Sequence, residues 1–171
     1  DGEKTASKQF TVTVTPVNDK PILTDVGDIS FDEDTSGSIT LSASDIDDDD
    51  NNLTYDVSGE TNITASISGK TITFTAPANF NGSETFTATV NDGEKTDSKQ
   101  FTVTVTPIDD APTITSGDSI NIDENKTTVT TITSSDPDVG DTKEYSLIGG
   151  VDELMFNINT NGVLTFKTAP D

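Results

Sequence analysis

Acidic residues at repeating spacings are the side chains of this sequence that could do chemistry. Asp136 and Asp138 stand one residue apart in a turn-rich stretch, and Asp109 and Asp110 closely follow a proline. The corresponding positions 91 residues earlier are Asn18, Asp19, Asp45 and Asp47. Alternate carboxylates in a loop can converge on one point, and calcium takes about six to eight oxygen ligands without demanding strict geometry. The spacing therefore indicates divalent-cation binding in both copies of the pattern.

Further oxygen ligands are expected from the first strand of each copy. Glu33, in the segment 31–34, corresponds to Glu124 in the segment 122–125, and Asp141 follows the loop pair closely. Each junction between copies thus gathers carboxylates from a linker, a loop and a first strand. Without a cation, such a cluster would concentrate repelling charge beside a hinge. A solvated acidic turn is the alternative interpretation of the Asp-rich loops.

The charge balance of the chain excludes two classes of partner. Thirty-one acidic residues stand against nine basic ones, all lysine, and the formal net charge is −22. Such a surface repels phosphates, so nucleic acid and anionic membrane surfaces are poor partners. No apolar run approaches the roughly 18 residues needed to cross a bilayer, so we expect no membrane insertion. Both a generally acidic, soluble surface and clusters built to hold cations fit this composition.

The residues of common catalytic sites are missing from the sequence. The chain has no histidine, no cysteine and no arginine, which excludes Ser-His-Asp and Cys-His arrangements and the usual zinc ligands. Paired carboxylates can hydrolyse glycosides, but here they lie in turns at domain ends without an aromatic platform for a sugar. We therefore expect no enzymatic activity.

A long internal repeat gives the domain organisation. Residues 1–21 match residues 92–112 at 17 of 21 positions, and each copy runs from a polar turn through an alternating strand into a proline and an acidic pair. Self-similarity at a fixed period is typical of repeat architectures. The period predicts the final strand of a preceding repeat at 1–17, a complete repeat at 18–108 and a partial repeat at 109–171.

Apolar residues alternate with polar ones along most of the complete repeat. Such alternation, as in Phe101, Val103 and Val105, predicts strands with one buried and one solvated face. The alternation predicts seven strands, near 22–31, 38–44, 53–58, 62–67, 71–75, 84–91 and 99–106. No segment holds a helical period for three turns, and Asn161-Gly162 predicts a hairpin with a type I′ turn. Short strands at this spacing predict an all-β fold of antiparallel, immunoglobulin-like β-sandwiches.

Several motifs resemble those of cadherin repeats. The segment Ile122-Asp123-Glu124-Asn125 resembles the cadherin Pro-Glu-Asn segment, and Asp136-Pro137-Asp138 resembles its Asp-x-Asp motif. The linkers Val17–Pro21 and Ile108–Pro112 are similar to its Asn-Asp-x-x-Pro linker. The stretch Ala78–Gly93 is closer still to bacterial cadherin-like tandem repeats of large surface adhesins of the RTX, type I-secreted kind. The resemblance covers essentially the whole chain.

The resemblance implies tandem cadherin-like sandwiches with Ca²⁺ at the interdomain boundaries. For the junction inside this chain the implied ligands are Glu33, Asp109, Asp110, Asp136 and Asp138. For the upstream junction they are Asn18, Asp19, Asp45, Asp47 and Asp92. The cadherin Leu-Asp-Arg-Glu ligand segment is replaced by Ala76-Pro77-Ala78-Asn79, which has no acid. Fewer ions per junction or weaker binding follows from that departure.

The function implied is structural. We expect a spacer module of an extracellular adhesin at the cell surface, in which Ca²⁺ stiffens the repeat array for cell-surface or biofilm adhesion. Its partners would be the neighbouring repeats of the same polypeptide. The alternatives are direct binding of a cell-surface glycan or protein ligand, and a homophilic or filament-forming repeat. Direct binding would call for exposed aromatic residues, whereas Tyr55 and Tyr145 lie in alternating strands, as core residues would.

The segment Gln9–Thr15 copies the last predicted strand of the complete repeat, and the partial repeat lacks counterparts of the strands at 84–91 and 99–106. Open sheet edges favour strand pairing. One hypothesis is therefore head-to-tail self-association, in which this segment completes the partial repeat of a neighbouring molecule. The alternative is a boundary set by where the fragment was cut.

Overall fold

A computed structural model describes residues 2–49 and 52–171 and divides the chain into two compact units. The first unit extends to Thr106, and the second begins at Pro107. Strands joined by turns build both units, which confirms the predicted all-β fold. No helix in the described ranges is long and apolar enough to span a bilayer.

The first unit is a sandwich of short strands. Its strands are β1 (Ile22–Leu23), β2 (Ile29–Asp32), β3 (Ser36–Thr40), β4 (Ala43–Ser44), β5 (Thr54–Ser58), β6 (Thr64–Ser68), β7 (Thr71–Thr75), β8 (Gly82–Asn91) and β9 (Thr96–Thr106). One sheet has the order β2-β9-β8-β5 and another the order β3-β7-β6, while β1 pairs with β4. All ladders are antiparallel except that of β2 with β9, which is parallel.

The core of the first unit lies between these sheets. Phe74 of β7 meets Phe86 of β8 and Phe101 of β9 edge-on, with ring centroids 5.2 and 5.9 Å apart. Val90 and Val103 are fully buried beside them. The predicted alternation explains this arrangement, because every second residue of β7, β8 and β9 faces the opposite sheet while threonines face outward.

Two strands were each predicted as one element, and this prediction is wrong, because the structure divides each of them into two. The strand expected at 22–31 is interrupted between β1 and β2, and the strand expected at 38–44 is interrupted between β3 and β4. The chain moves from a pairing with β4 to a pairing with β9 across the first interruption. There Asp28 Oδ1 accepts the backbone N–H of Thr102 at 2.7 Å, so a side chain replaces a ladder hydrogen bond.

The long hairpin β8–β9 positions one of the predicted ligands. Its turn contains Gly93 at φ +103°. Asp92 Oδ1 accepts the backbone N–H groups of Glu94 at 2.7 Å and Lys95 at 2.6 Å. This side-chain cap fixes Asp92 at the end of the sheet.

The second unit is smaller. It contains β10 (Thr113–Ile114), β11 (Thr128–Thr131), β12 (Ser134–Ser135), β13 (Phe156–Ile158), β14 (Val163–Phe166) and a single 3₁₀ turn at Glu153–Met155. The strands pair as β10-β12 and β11-β14-β13. This short 3₁₀ turn is the one departure, in the described ranges, from the expectation of no helix.

The predicted hairpin between β13 and β14 is confirmed, but its turn type is not. Ile158 pairs with Leu164 across the turn. Gly162 has φ +79°, whereas Asn161 is not among the described non-glycine residues with positive φ, as a type I′ turn would require. Asn159 Oδ1 instead accepts the N–H groups of Asn161 and Val163, each at 3.0 Å. This side-chain acceptor favours a turn of a type other than I′.

Candidate metal centre

Backbone hydrogen bonds hold the linker of the second unit against the Asp-rich loop. The N–H of Asp110 donates to Asp138 Oδ2 at 2.6 Å, and the N–H of Asp138 donates to Asp136 Oδ1 at 3.2 Å. This arrangement brings Asp109 to the loop. Carboxylate oxygens of Asp109, Asp138 and Asp141 all lie within 4.8 Å of one another. Two oxygens bound to one calcium ion lie up to about 5 Å apart, so one ion can span these three side chains.

In this second-unit cluster (Asp109, Asp136, Asp138 and Asp141), the surroundings of Asp141 oppose the ionisation of its carboxyl group when no cation is bound. Desolvation raises the pKa of Asp141, and repulsion from Asp109, Asp138 and Asp136 raises it further. A hydrogen bond between the carboxyl groups of Asp141 and Asp109 acts in the same direction. A bound divalent cation would reverse this tendency, because it stabilises the ionised carboxylates.

The first unit repeats the same local arrangement 91 residues earlier. The N–H of Asp19 donates to Asp47 Oδ2 at 2.6 Å, and the N–H of Asp47 donates to Asp45 Oδ1 at 2.8 Å. The N–H of Asp48 also donates to Asp45 Oδ1, at 3.1 Å. Linker and loop are therefore joined in the same way in both copies, which three identical side chains at matching positions alone do not guarantee.

Asp45 carries a buried oxygen that fits a cation. Its Oδ2 atom is inaccessible to solvent and accepts no hydrogen bond from the described part of the chain. A buried carboxylate oxygen without a donor is costly, and a metal ion would satisfy it. All the predicted side chains offer oxygen atoms, the ligands that calcium prefers.

The remaining members of the predicted upstream set, Asn18 and Asp92, are in direct contact. Asn18 Nδ2 donates to Asp92 Oδ2 at 3.1 Å, and the Lys95 ammonium donates to the backbone carbonyl of Asn18. Hydrogen bonds from the N–H groups of Lys95 and Glu94 lower the pKa of Asp92, with a smaller contribution from Asn18. The Lys95 ammonium therefore offsets part of the negative charge of this first-unit cluster (Asn18, Asp19, Asp45, Asp47 and Asp92).

Glu33 belongs to the first unit, whereas the other four ligands predicted for the internal junction belong to the second. It is only 3% exposed, and its N–H donates to the carbonyl of Thr106 at 2.9 Å, at the end of the first unit. The next residue, Asp34, adopts φ +58°, and its Oδ1 accepts the N–H of Asn79 at 3.0 Å. That Glu33 shares an ion with the second unit stays a prediction.

The predicted ligand set omits one member of the second-unit cluster. Asp141 lies three residues beyond Asp138 in the same loop, and its proximity in sequence is the signal that points to it. Its counterpart 91 residues earlier, Asp50, lies outside the described residues.

The chain belongs to a family of bacterial immunoglobulin-like domains. The profile of the bacterial Ig domain family Big_9 matches residues 18–106, just over half of the chain. A search of curated protein sequences gives no match. Family membership agrees with the sandwich of the first unit, whose sheets and Phe core lie within the matched residues.

Cadherin domains share the fold of the chain. Human protocadherin-24 EC1-2 is 19% identical, with a TM-score of 0.55 over 87% of this chain and 80% of that one. Drosophila N-cadherin EC1-4 is 17% identical, with a TM-score of 0.57 over 90% of this chain and 42% of that one. Protocadherin gamma B2 domains 1-5 are 18% identical, with a TM-score of 0.52 over 91% and 35%. Structural similarity at such low sequence identity shows the fold alone, and this fold is the predicted cadherin-like sandwich.

Proposed function

We propose that the chain is a spacer of an extracellular adhesin, of the large RTX, type I-secreted kind, in which Ca²⁺ at the junctions stiffens a row of sandwiches. One observation carries the proposal. The same hydrogen bonds from linker to Asp-rich loop occur in both copies, and in the second copy they accompany three carboxylates within 4.8 Å of one another. Acidic residues that serve only solubility would not be expected to form the same contacts at matching positions of two repeats.

The ligands at the internal junction would be the second-unit cluster, with Asp110 and with Glu33 from the preceding unit. At the upstream junction they would be the first-unit cluster. Calcium would neutralise the crowded carboxylates, while the backbone hydrogen bonds to Asp136 and Asp138 hold the loop in place. Four acids at the upstream junction against six at the internal one, once Asp110 and Glu33 are included, and the nearby Lys95 ammonium predict weaker binding at the upstream junction.

The bound ion would stiffen a junction because its proposed ligands come from the domains on both sides of that junction. Tandem domains with small interfaces move relative to each other by default. An ion that takes oxygens from both sides of a junction binds in full only when the two domains are docked, so its binding free energy stabilises the docked arrangement. Extracellular calcium modules bind at about 0.1–1 mM, which suits fluids that contain millimolar calcium.

Direct glycan binding is less well supported than the spacer function, because neither tyrosine forms an exposed platform. The hydroxyl of Tyr145 hydrogen-bonds Ser134 Oγ at 2.8 Å. The hydroxyl of Tyr55 is buried, and the Lys70 ammonium lies 5.8 Å from the centre of its ring. Tyr55 lies in β5 as its alternation predicts, whereas the expectation of a strand at Tyr145 is wrong, because that residue lies in the loop between β12 and the 3₁₀ turn.

Calorimetric titration with calcium tests the proposal. Because Asp138 contributes to the cluster and accepts the linker N–H, Asp138→Asn should weaken the tightest binding by about tenfold or more. Asp118→Asn removes the same charge from an exposed loop position and serves as the control. Absence of binding to the unmodified chain at about 10 mM calcium, far above the expected dissociation constant, would overturn the proposal.

A further inference from the structure

The parallel ladder of β2 with β9 lies where tension along the chain would pass through the first unit. Its first pair joins Ile29 to Val103. Its last pair joins Asp32 to Thr106. The chain enters β2 at the Ile29 end of the ladder, and it leaves the unit from Thr106 at the other end. Because the two strands run in the same direction, a pull on the chain from both sides would slide β2 and β9 past each other.

The direction of a pull decides how a ladder resists it. Ladder hydrogen bonds join one strand to the next, so a pull that slides the strands loads the four residue pairs of this ladder together. A pull that separates two strands at one end loads their pairs one after another. The rate of forced unfolding depends on the contacts that must break before the transition state, so a ladder under shear should unfold more slowly at the same force.

Further hydrogen bonds lengthen the ladder at both of its ends. Before the first pair, Asp28 Oδ1 accepts the backbone N–H of Thr102 at 2.7 Å. After the last pair, the N–H of Glu33 donates to the carbonyl of Thr106 at 2.9 Å. The Thr106 hydroxyl also donates to Asp32 Oδ1 at 2.6 Å. A shearing pull therefore meets three hydrogen bonds in addition to those of the paired backbones.

The pairing of β1, which precedes β2 in the chain, is shorter. Its ladder with β4 contains two residue pairs, at Ile22 and Leu23. Two hydrogen bonds outside this ladder also hold the segment: Thr24 donates to the carbonyl of Ser42 at 2.9 Å, and Leu23 donates to Asp97 Oδ2 at 3.0 Å. Tension from the N-terminal side reaches β1 before it reaches β2. We therefore expect β1 to detach first and the ladder of β2 with β9 to hold the rest of the unit.

We propose that this parallel ladder is a mechanical clamp, which keeps the first unit folded when the chain is pulled. The clamp consists of the ladder and the hydrogen bonds of Asp28, Glu33 and Thr106 at its ends. The inference rests on the proposed spacer function for the source of the pull, because a spacer transmits force between the structures that it joins. Calcium at the junctions would restrain the angle between domains, whereas the clamp restrains the length of chain that one domain releases. The clamp needs no ion and should act in chelator, so its failure and the failure of the calcium proposal are distinguishable.

Pulling single molecules in two directions, in chelator, tests the clamp. The chain has no cysteine, so introduced cysteines give unique attachment points for handles. In the full chain, Thr15→Cys with Ala111→Cys brackets the first unit, and the pull shears the ladder. In Ser36→Cys with Ala111→Cys the pull peels the strands apart, because Ser36 follows β2 after a short turn at the Thr106 end. All three substituted positions are exposed, so both variants should keep the same fold.

At the same loading rate, the shearing pair of handles should require about twice the force of the peeling pair or more, because the ladder bonds are loaded together. The sheared unit should also open in two steps. At roughly 3.4 Å per residue, release of β1 should add about 2 nm, and release of the chain from Ile29 to Thr106 should then add about 25 nm. Equal unfolding forces in the two directions would overturn the inference.

A matched pair of substitutions tests the end of the clamp. Thr106→Val removes the hydroxyl that donates to Asp32 and keeps the shape of the side chain. Thr64→Val makes the same change on β6, where the hydroxyl lies 2.8 Å from that of Thr75, outside the sheared pair of strands. At constant shearing force Thr106→Val should speed unfolding about tenfold, as expected for one lost hydrogen bond, and Thr64→Val should change the rate little.

Urea unfolding of the same two variants gives their equilibrium stabilities, so that a loss of resistance to force is separated from a general loss of stability. We expect a difference in unfolding rate under force that exceeds the difference in equilibrium stability. Equal acceleration by Thr106→Val and Thr64→Val would show that the ladder has no special role under tension, and it would overturn the inference.

Discussion

At the scale of single residues, backbone N–H groups place the carboxylates of the candidate site. Asp138 accepts from the linker and Asp47 does the same one repeat earlier, each at 2.6 Å. Each loop aspartate also donates its own N–H to the aspartate two positions before it. The Asp-x-Asp spacing thus builds a fixed loop as well as a concentration of charge.

Asp141 allows a test of charge crowding. Its pKa is raised, so its contribution to stability is present at low pH and is lost as pH rises through its ionisation. Asp141→Asn should therefore stabilise the protein at neutral pH in chelator and should reduce the stabilisation gained from calcium. Thermal melts in both conditions measure the two effects, with Asp118→Asn as the control. Equal melting temperatures of Asp141→Asn and the unmodified chain in both conditions would contradict this interpretation.

The pKa of Glu84 is lowered, whereas that of Asp141 is raised. Desolvation opposes its ionisation, but hydrogen bonds from the backbone and side chain of Asn62 and from the N–H groups of Thr61 and Ile63 outweigh it and lower the pKa. A lowered carboxyl pKa contributes stability above the unfolded value of 4.5, and this contribution is lost as pH falls through the folded value. Glu84 therefore stabilises the loop before β6 at neutral pH.

Glu84→Gln should cost about 1 kcal/mol of unfolding free energy at pH 7, because hydrogen bonds to a charged acceptor become bonds to a neutral one. The difference from the unmodified chain should be smaller at about pH 3 than at pH 7, because protonation of the carboxyl group increases as pH falls. Urea unfolding at both pH values measures it. A difference that does not change with pH would mean that packing rather than charge explains the cost.

At the scale of elements, Gly59, the residue after β5, allows the chain to pass close to β8. Gly59 has φ +118°, and a Cβ atom there would lie 2.5 Å from the carbonyl oxygen of Thr85 in β8. Gly69 also has positive φ, at +61°, but no atom lies within 4 Å of its ideal Cβ. Gly59→Ala should therefore cost about 1–3 kcal/mol more than the roughly 1 kcal/mol expected for Gly69→Ala. Chemical denaturation of both variants compares them, and equal costs would show that backbone conformation alone matters.

Alternation predicted most of the strands but not how they pair. Phe74, Phe86 and Phe101 are buried as their period of two requires. The sequence could not show that the strand expected at 22–31 breaks to change partners, since Asp28 reads as an ordinary polar residue until Thr102 lies against it. The parallel ladder of β2 with β9 was likewise hidden, because a strand alternates in the same way in either direction.

The candidate site was predicted in part. Repetition identified the linker and loop aspartates, whose hydrogen bonds recur in both copies. Asp141 was not in the predicted ligand set, although it lies three residues after Asp138; the folded loop brings one of its carboxylate oxygens within 4.8 Å of oxygens of Asp109 and Asp138. A ligand contributed by Glu33 depends on how two domains dock, which periodicity along one chain does not specify.

At the scale of the whole molecule, the chain belongs to a bacterial Ig domain family through residues 18–106, has a cadherin-like fold and divides into two compact units. Each unit contains its own cluster of linker and loop oxygens. In the proposed function, calcium at the junctions converts a flexible row into a stiff one. A net charge of −22 would add to the stiffening by keeping uncomplexed modules apart, an effect that salt screens.

Small-angle X-ray scattering in about 5 mM calcium and in chelator tests this central claim most directly. The chain should be measured at several low concentrations and the profiles extrapolated to zero concentration, so that contacts between molecules do not contribute. In calcium we expect a narrower distribution of distances between the two units than in chelator. This difference between the two conditions should vanish in the Asp138→Asn variant. Superimposable scattering profiles of the fragment in calcium and chelator would contradict the account.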